Sequence, residues 1–527
     1  MVHLSFVTTL IGGSLDLPGQ SVAFGLSASG SAPQVMLYDF GYGEAQEFML
    51  GANGATRLET WVIDTGAHQT FDIAGYGLGT LDTRFLTTNT DSAFMDQQGA
   101  VTMSLNASGP DGFGQGAFAD QASVLVMDIG AAAPWTFVAT ANGQGITAFQ
   151  IDDTGVVSNR MVTADTDARY LDGVTDMIGL TLDGQSYLYA TSARDHGLSG
   201  WEVSDNCSLI EVAQIGQDQS LPVQAMTALV TGSSGDAQFL VAGAAGSSTL
   251  SVMQVGAGGA LTITDHVLDT RDTRFANVTE LEAVTHEDRP YVLAAGSDYG
   301  VSLFTVTVTA EGRLVHLQSL ANSEGVALGG VSGMIAVLRD EGIDLLTVAA
   351  HDAGMRLFRV DLPEDGVVQS AASGTVLGSA GDDMLSLRTG AGEIDAGAGD
   401  DILSDGAGSD TLSGGLGEDI FVLAADGQRD VITDIDVTQD RLDLSAWSML
   451  RNVGQLQITQ SNDGAVIQFG DEELVLQTNT GTSLDVDQVS SLLLGGPSHY
   501  EVELGPLDRG GPEPDPEPQP DQNHRCE

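Results

Sequence analysis

Residues 378–422 read GSAGDDMLS, LRTGAGEID, AGAGDDILS, DGAGSDTLS and GGLGEDIFV, five nonapeptides in one unbroken phase. The fourth position is always glycine: Gly381, Gly390, Gly399, Gly408 and Gly417. The eighth is always apolar: Leu385, Ile394, Leu403, Leu412 and Phe421. The sixth is Asp383, Asp401, Asp410 and Asp419 in four copies and Gly392 in the second. A glycine turn followed by a short strand, repeated at a fixed period, predicts a coil of parallel strands. Two nonapeptides complete one revolution, so turns on one edge recur every 18 residues. One edge then stacks Asp383, Asp401 and Asp419; the opposite edge stacks Gly392 and Asp410. The eighth positions point into a narrow core between two sheets.

This register suits calcium, which takes several hard oxygen ligands in a flexible shell. Glycine turns aim backbone carbonyls inward, and the acids close each turn. The candidate ligands on the first edge are the turn residues Gly378, Ala380, Ala396, Ala398, Gly414 and Leu416, with the acids Asp382, Asp383, Asp400, Asp401 and Asp419. Asp401 serves both neighbouring turns, which makes two strong sites there. Asp410 stands on the opposite edge, where Gly392 leaves one carboxylate missing and a weaker or empty site is expected. The next turn on that edge, near Asp426 to Gln428, is imperfect. The 45 residues carry ten acids and one base, Arg388. Five thin apolar layers cannot offset about 1–2 kcal/mol of backbone entropy per residue against that repulsion. The roll is therefore expected to fold with calcium and unfold without it.

Upstream the period changes. The segments 135–151, 187–203, 238–255, 290–306 and 345–360 each run strand, small-residue turn, strand. Their matching alanines are Ala139, Ala190, Ala242, Ala294 and Ala349, spaced by 51, 52, 52 and 55 residues. An earlier strand also recurs, as TDMIGLTL, QAMTALVT, TELEAVTH and SGMIAVLR, and a polar strand follows each unit. Four strands at a period near 50 predict β-propeller blades. Five are legible after residue 120, and room for two more gives seven; two stacked sandwiches would not hold the period. The fold class is all-β: a propeller over 1–362, a linker at 363–377, the parallel β-roll at 378–422, a β cap at 423–495, and a disordered acidic, Pro-rich tail at 496–527.

The chain has 73 acids against 18 bases, all of them Arg, and a net charge of −55. That charge disfavours nucleic acid and anionic membrane surfaces and attracts divalent cations. Two cysteines, Cys207 and Cys526, make no disulfide framework. No apolar run is long enough to span a membrane, so no membrane insertion is expected.

The nonapeptides, with the following DVITDIDVTQDRLDLS, resemble the RTX, or hemolysin-type, calcium-binding repeat family over residues 374–495. The resemblance implies bound calcium, export by the type I secretion machinery through an uncleaved C-terminal signal, and an extracellular location in a Gram-negative bacterium. It fits an N-terminus without a basic, apolar leader. The zinc protease, lipase and pore-forming branches of that family are excluded. His286-Glu287-Asp288-Arg289-Pro290 lacks a second histidine, the candidate serine motifs are only turns, and there is no lysine to acylate. The upstream domain resembles lactonase-like seven-bladed propellers. Asp176 and Glu280 precede Met177 and Leu281 at equivalent blade positions and are candidates to face its funnel. His196, His286 and His351 fall in or near loops. The first expectation is a secreted calcium-binding protein whose propeller holds an extracellular polymer or protein ligand. The alternative is a secreted hydrolase with a metal at the funnel.

Overall fold

The computed structural model describes residues 3–9, 22–27, 34–39, 44–51, 54–62, 73–75, 84–87, 91–95, 101–106, 121–130, 134–140, 145–151, 157–166 and 169–500, with 502 and 504. Within the long stretch, 236, 308–311, 323–327, 340–341, 350–351 and 363–365 are excepted. Seven four-stranded antiparallel sheets follow one another: 22–62, 73–106, 121–164, 174–216, 226–268, 280–321, and a last one built from 331–361. The N-terminal strand His3–Thr9 supplies the outer strand of that last sheet, pairing antiparallel with Asp352–Asp361. The first strand of each sheet lies beside that of the next, and the seventh returns to the first. This is a seven-bladed propeller closed by strand exchange between the two ends of the ring. The recurrent threonine of the inner strands has a visible job. The hydroxyls of Thr175, Thr227 and Thr279 donate to the carbonyls of Met226, Val278 and Val331 on the next blade, at 2.7, 2.6 and 3.3 Å.

The C-terminal part is a two-sheet parallel coil. Met384 pairs with Ile402 and Ile402 with Ile420 on one sheet; Glu393 pairs with Thr411 on the other, all 18 residues apart. The eighth-position residues Leu385, Ile394, Leu403, Leu412 and Phe421 are fully buried in one core with Val376, Ile432 and Leu442.

Two boundaries differ from the sequence reading. The segment 363–377 is not a plain linker: Val368–Ala371 and Gly374–Leu377 pair in parallel with Met384–Leu387 and Gly392–Ala398 as the first strands of the coil. They were hidden because they lack the glycine-aspartate signature. The start of the expected disordered tail is also ordered. Ser498–His499 adds a fifth strand to the 226–268 blade, and Val502 and Leu504 rest against that blade's core. The remainder of the tail, with Cys526, lies outside the described residues.

The coil is seated on the propeller. Met384, Ile402 and Ile420 occupy the seventh position of alternate nonapeptides and share a core with Tyr291, Leu317 and Phe358. Their counterparts on the opposite sheet, Glu393 and Thr411, are polar. One coil sheet is therefore apolar on both faces, which marks a strand layer covered on both sides.

Candidate metal centre

The Asp edge forms a ladder. The Asp383 amide donates to Asp401 Oδ1 at 2.6 Å, the Asp401 amide to Asp419 Oδ1 at 3.0 Å, and the Asp419 amide to Asp440 Oδ1 at 3.2 Å. Each carboxylate thus uses one oxygen to tie its turn to the turn before. The second oxygens of Asp401 and Asp419 are buried and have no partner. A buried carboxylate oxygen without a partner is costly. Burial pushes Asp401 up to about 7, Asp419 to about 8 and Asp440 to about 6, with neighbouring carboxylates adding to the rise.

Glycine leaves room where Asp419 Oδ2 points, and at the matching place two revolutions earlier, where Asp383 Oδ2 accepts the Ser379 amide at 2.6 Å. A Cβ on Gly378 would run into the carbonyl oxygen of Ala396 and Asp383 Oδ2, and one on Gly414 into Asp419 Oδ2. At the Gly378 turn a carbonyl and a carboxylate oxygen meet, at the Gly414 turn a carboxylate oxygen, and such hard oxygen donors fit calcium. Among the described residues no three His, Cys, Asp or Glu side chains group as a metal cage, so backbone carbonyls would have to complete any shell.

The other candidate ligands divide. Asp382 Oδ1 accepts the Asp400 amide and Asp400 Oδ1 the Glu418 amide, both at 2.7 Å, a second ladder one residue out of step with the first. Asp382, Asp400 and Glu418 line a cavity of about 20 Å³ at the propeller seam with the buried Arg289, whose Nη2 has no partner. The Leu416 side chain is exposed, and its carbonyl accepts the Gly399 amide at 2.9 Å.

On the opposite edge Asp410 Oδ1 accepts the Gly392 amide at 2.7 Å, and Asp430 Oδ1 accepts the Asp410 amide at 2.9 Å. The buried Asp405 is held well above the usual carboxylate range by burial and by Asp430, Asp410 and Asp426. This edge is richer in acid than a strict nine-residue phase implies. Asp430 and Asp440 were missed because insertions carry their strands 20 and 21 residues beyond the preceding ones. The signal that finds them is the tripeptide Asp-x-apolar, shared by Asp401-Ile402-Leu403, Asp430-Val431-Ile432 and Asp440-Arg441-Leu442.

In the propeller, Asp176 lies on an inner strand and accepts the Leu229 amide of the next blade at 2.9 Å. The charge of Asp176 is felt by Glu282, two residues beyond Glu280 on the strand Glu280–His286. Burial raises Asp176 to about 6 and Glu282 to about 8, with Asp176 adding to the latter. His196 has a structural task, its Nδ1 accepting the Ala225 amide at 2.9 Å. His286 ends an inner strand half-buried, and His351 lies outside the described residues. Cys207 is buried, its thiol pushed up to about 12 by burial.

A raised folded-state carboxyl pKa means that the native state holds its proton more tightly than the unfolded chain. Stability from Glu282 is thus greatest at acid pH and declines as pH rises from about 4.5 toward about 8. Glu282→Gln is expected to flatten that decline and to gain about 1–3 kcal/mol at pH 8, discounted because the residue is only partly buried. Denaturant melts at pH 5 and pH 8 check it; an unchanged slope would contradict it.

No protein-family model matches the chain, and no curated protein matches it. Solved structures do. A periplasmic gluconolactonase from Pseudomonas aeruginosa aligns with TM-score 0.42 and 13% identity, over 63% of this chain and 98% of its own. Two Bacteroides proteins described provisionally as 6-phosphogluconolactonases align at 13% identity. The one from B. uniformis has TM-score 0.44 over 60% of this chain and 89% of its own; the one from B. fragilis has 0.42 over 60% and 94%. These likenesses concern fold alone. The strand order and ring closure given above make the chain an all-β protein in which a seven-bladed propeller carries a C-terminal parallel β-solenoid.

Proposed function

We propose that this is a secreted calcium-binding protein of the RTX type, whose C-terminal coil folds on calcium after type I export and whose propeller binds an extracellular ligand. The observation that carries the reading is the pair of buried, partnerless oxygens on Asp401 and Asp419, repeated at an 18-residue interval along one edge of the coil. Asp383, Asp401 and Asp419, with carbonyls from the Gly378, Ala396 and Gly414 turns, would hold the ion. Calcium would supply the charge that satisfies these oxygens in place of protons. The protein's own residues do the rest: the amide-to-carboxylate ladder fixes the spacing of the turns, and the Leu385, Leu403 and Phe421 column closes the core beneath them. Secretion is argued from the same coil, since a domain that needs calcium stays unfolded where calcium is scarce. Hydrogen exchange on the full chain tests this: residues 368–478 should be protected with calcium and exchange freely with chelator. Equal protection in both would overturn the reading.

A further inference from the structure

A cleft of about 620 Å³ lies where the propeller, the cap and the C-terminal strap meet. That is the size of a small-ligand site, at the kind of domain junction where such sites form. One wall is the 270–272 loop of the propeller, the second the 442–453 loop of the cap, the third the strap 493–500. Arg271 and Arg451 stand exposed on different walls, and among the described residues neither guanidinium has a hydrogen-bond or ion-pair partner. Arg339 and Arg359 hold Asp344, Arg194 holds Asp172, and Arg429 holds Glu473. The same cleft exposes Met449 and Tyr500, at 68% and 44%. Met449 adopts φ +69°, a conformation that side chains rarely take. Asn452 and Ser498 add amide and hydroxyl groups to the lining. Asp272 is the one exposed acid there; Asp443 is buried and is occupied by the Ser445 amide at 2.9 Å.

We infer that this cleft binds an acidic oligosaccharide. Paired guanidinium forks recognise carboxylate or sulfate, an aromatic face covers the apolar side of a sugar ring, and amides and hydroxyls meet its hydroxyls. An acidic peptide would use the arginines but would leave that polar lining without a role. The repulsion expected from the net charge is screened beyond about 8 Å at physiological salt, so local arginines decide. The cleft also needs all three parts in place. The strap is seated by His499 Nδ1 on Asp265 at 2.8 Å, by Thr270 Oγ1 donating to Gly496 O at 2.7 Å and by a His316–Gly495 O bond of 2.7 Å; Arg313 ties the propeller to Ser445 of the cap at 3.2 Å. Binding should therefore depend on calcium, a clause that rests on the proposed function, whereas the ligand class does not.

The test is calorimetric titration of the full chain in calcium with oligogalacturonate, a sulfated oligosaccharide, neutral maltohexaose and oligoglutamate. Saturable binding of one acidic sugar is expected, carboxylated or sulfated according to which arm responds. The exposed pair Arg271→Ala/Arg451→Ala should weaken it about tenfold or more. No binding of either acidic sugar, binding unaffected by the double substitution, or equal binding of oligoglutamate would overturn the inference. If acidic-sugar binding is lost only through the arginines and survives chelator, the cleft stands and the calcium reading falls.

Discussion

Replacing Asp401 with alanine is expected to cripple the coil more than any other single acid substitution. Its Oδ1 holds the Asp383 amide, its own amide is held by Asp419, and its Oδ2 faces the turn interior without a protein partner. The substitution therefore breaks one charge-assisted hydrogen bond and takes a ligand from two adjacent turns at once. The calcium concentration at which the coil folds should rise roughly tenfold or more, equivalent to at least about 1.4 kcal/mol. Circular dichroism of the full chain against calcium measures it. Asp410→Ala serves as comparison, because the turn stacked before it supplies Gly392 in place of a carboxylate; a larger effect there would reverse the assignment of the strong edge.

Gly399→Ala is expected to cost as much by a different route. Gly399 has φ +126°, and a Cβ on it would stand 2.5 Å from the carbonyl carbon and oxygen of Gly381, one revolution earlier. Strain and backbone clash act together, and backbone cannot rotate aside as a side chain can, so a loss of about 3 kcal/mol or more is expected. Gly470→Ala isolates the strain alone: it too has positive φ, +61°, but nothing lies within 4 Å. It should cost about 1 kcal/mol. Thermal melts in saturating calcium compare the two, and equal losses would contradict the stacking of turns 381 and 399.

Much of this architecture is legible in the residues. The nine-residue phase gives the coil, its edges and its core column because glycine, aspartate and an apolar residue each answer a separate physical demand at a fixed place. The matched alanines from Ala139 to Ala349 give the blades. What escapes does so for definable reasons. Val368–Ala371 and Gly374–Leu377 take their register from the strands they pair with, so they need no motif. Asp430 and Asp440 keep their roles across insertions that break the phase. Glu282, which feels the charge of Asp176, is not singled out by the blade alignment, because that alignment fixes a strand but not which of its side chains are buried together. His499 looks like tail until its partner Asp265, 234 residues away, is seen. The apolar seventh positions Met384, Ile402 and Ile420 were a readable sign that one sheet is covered on both faces.

That shared core gives calcium a reach beyond the coil, since losing the coil would bare Tyr291 and Leu317 on the propeller. The direct measurement is hydrogen exchange followed by mass spectrometry on the full chain, with millimolar calcium and with chelator. The expected result is protection of residues 368–478 in calcium and near-complete exchange without it, with a smaller rise in exchange over 289–295 and 314–321 where the coil is seated. Unchanged protection of 384–422 in chelator would contradict the account.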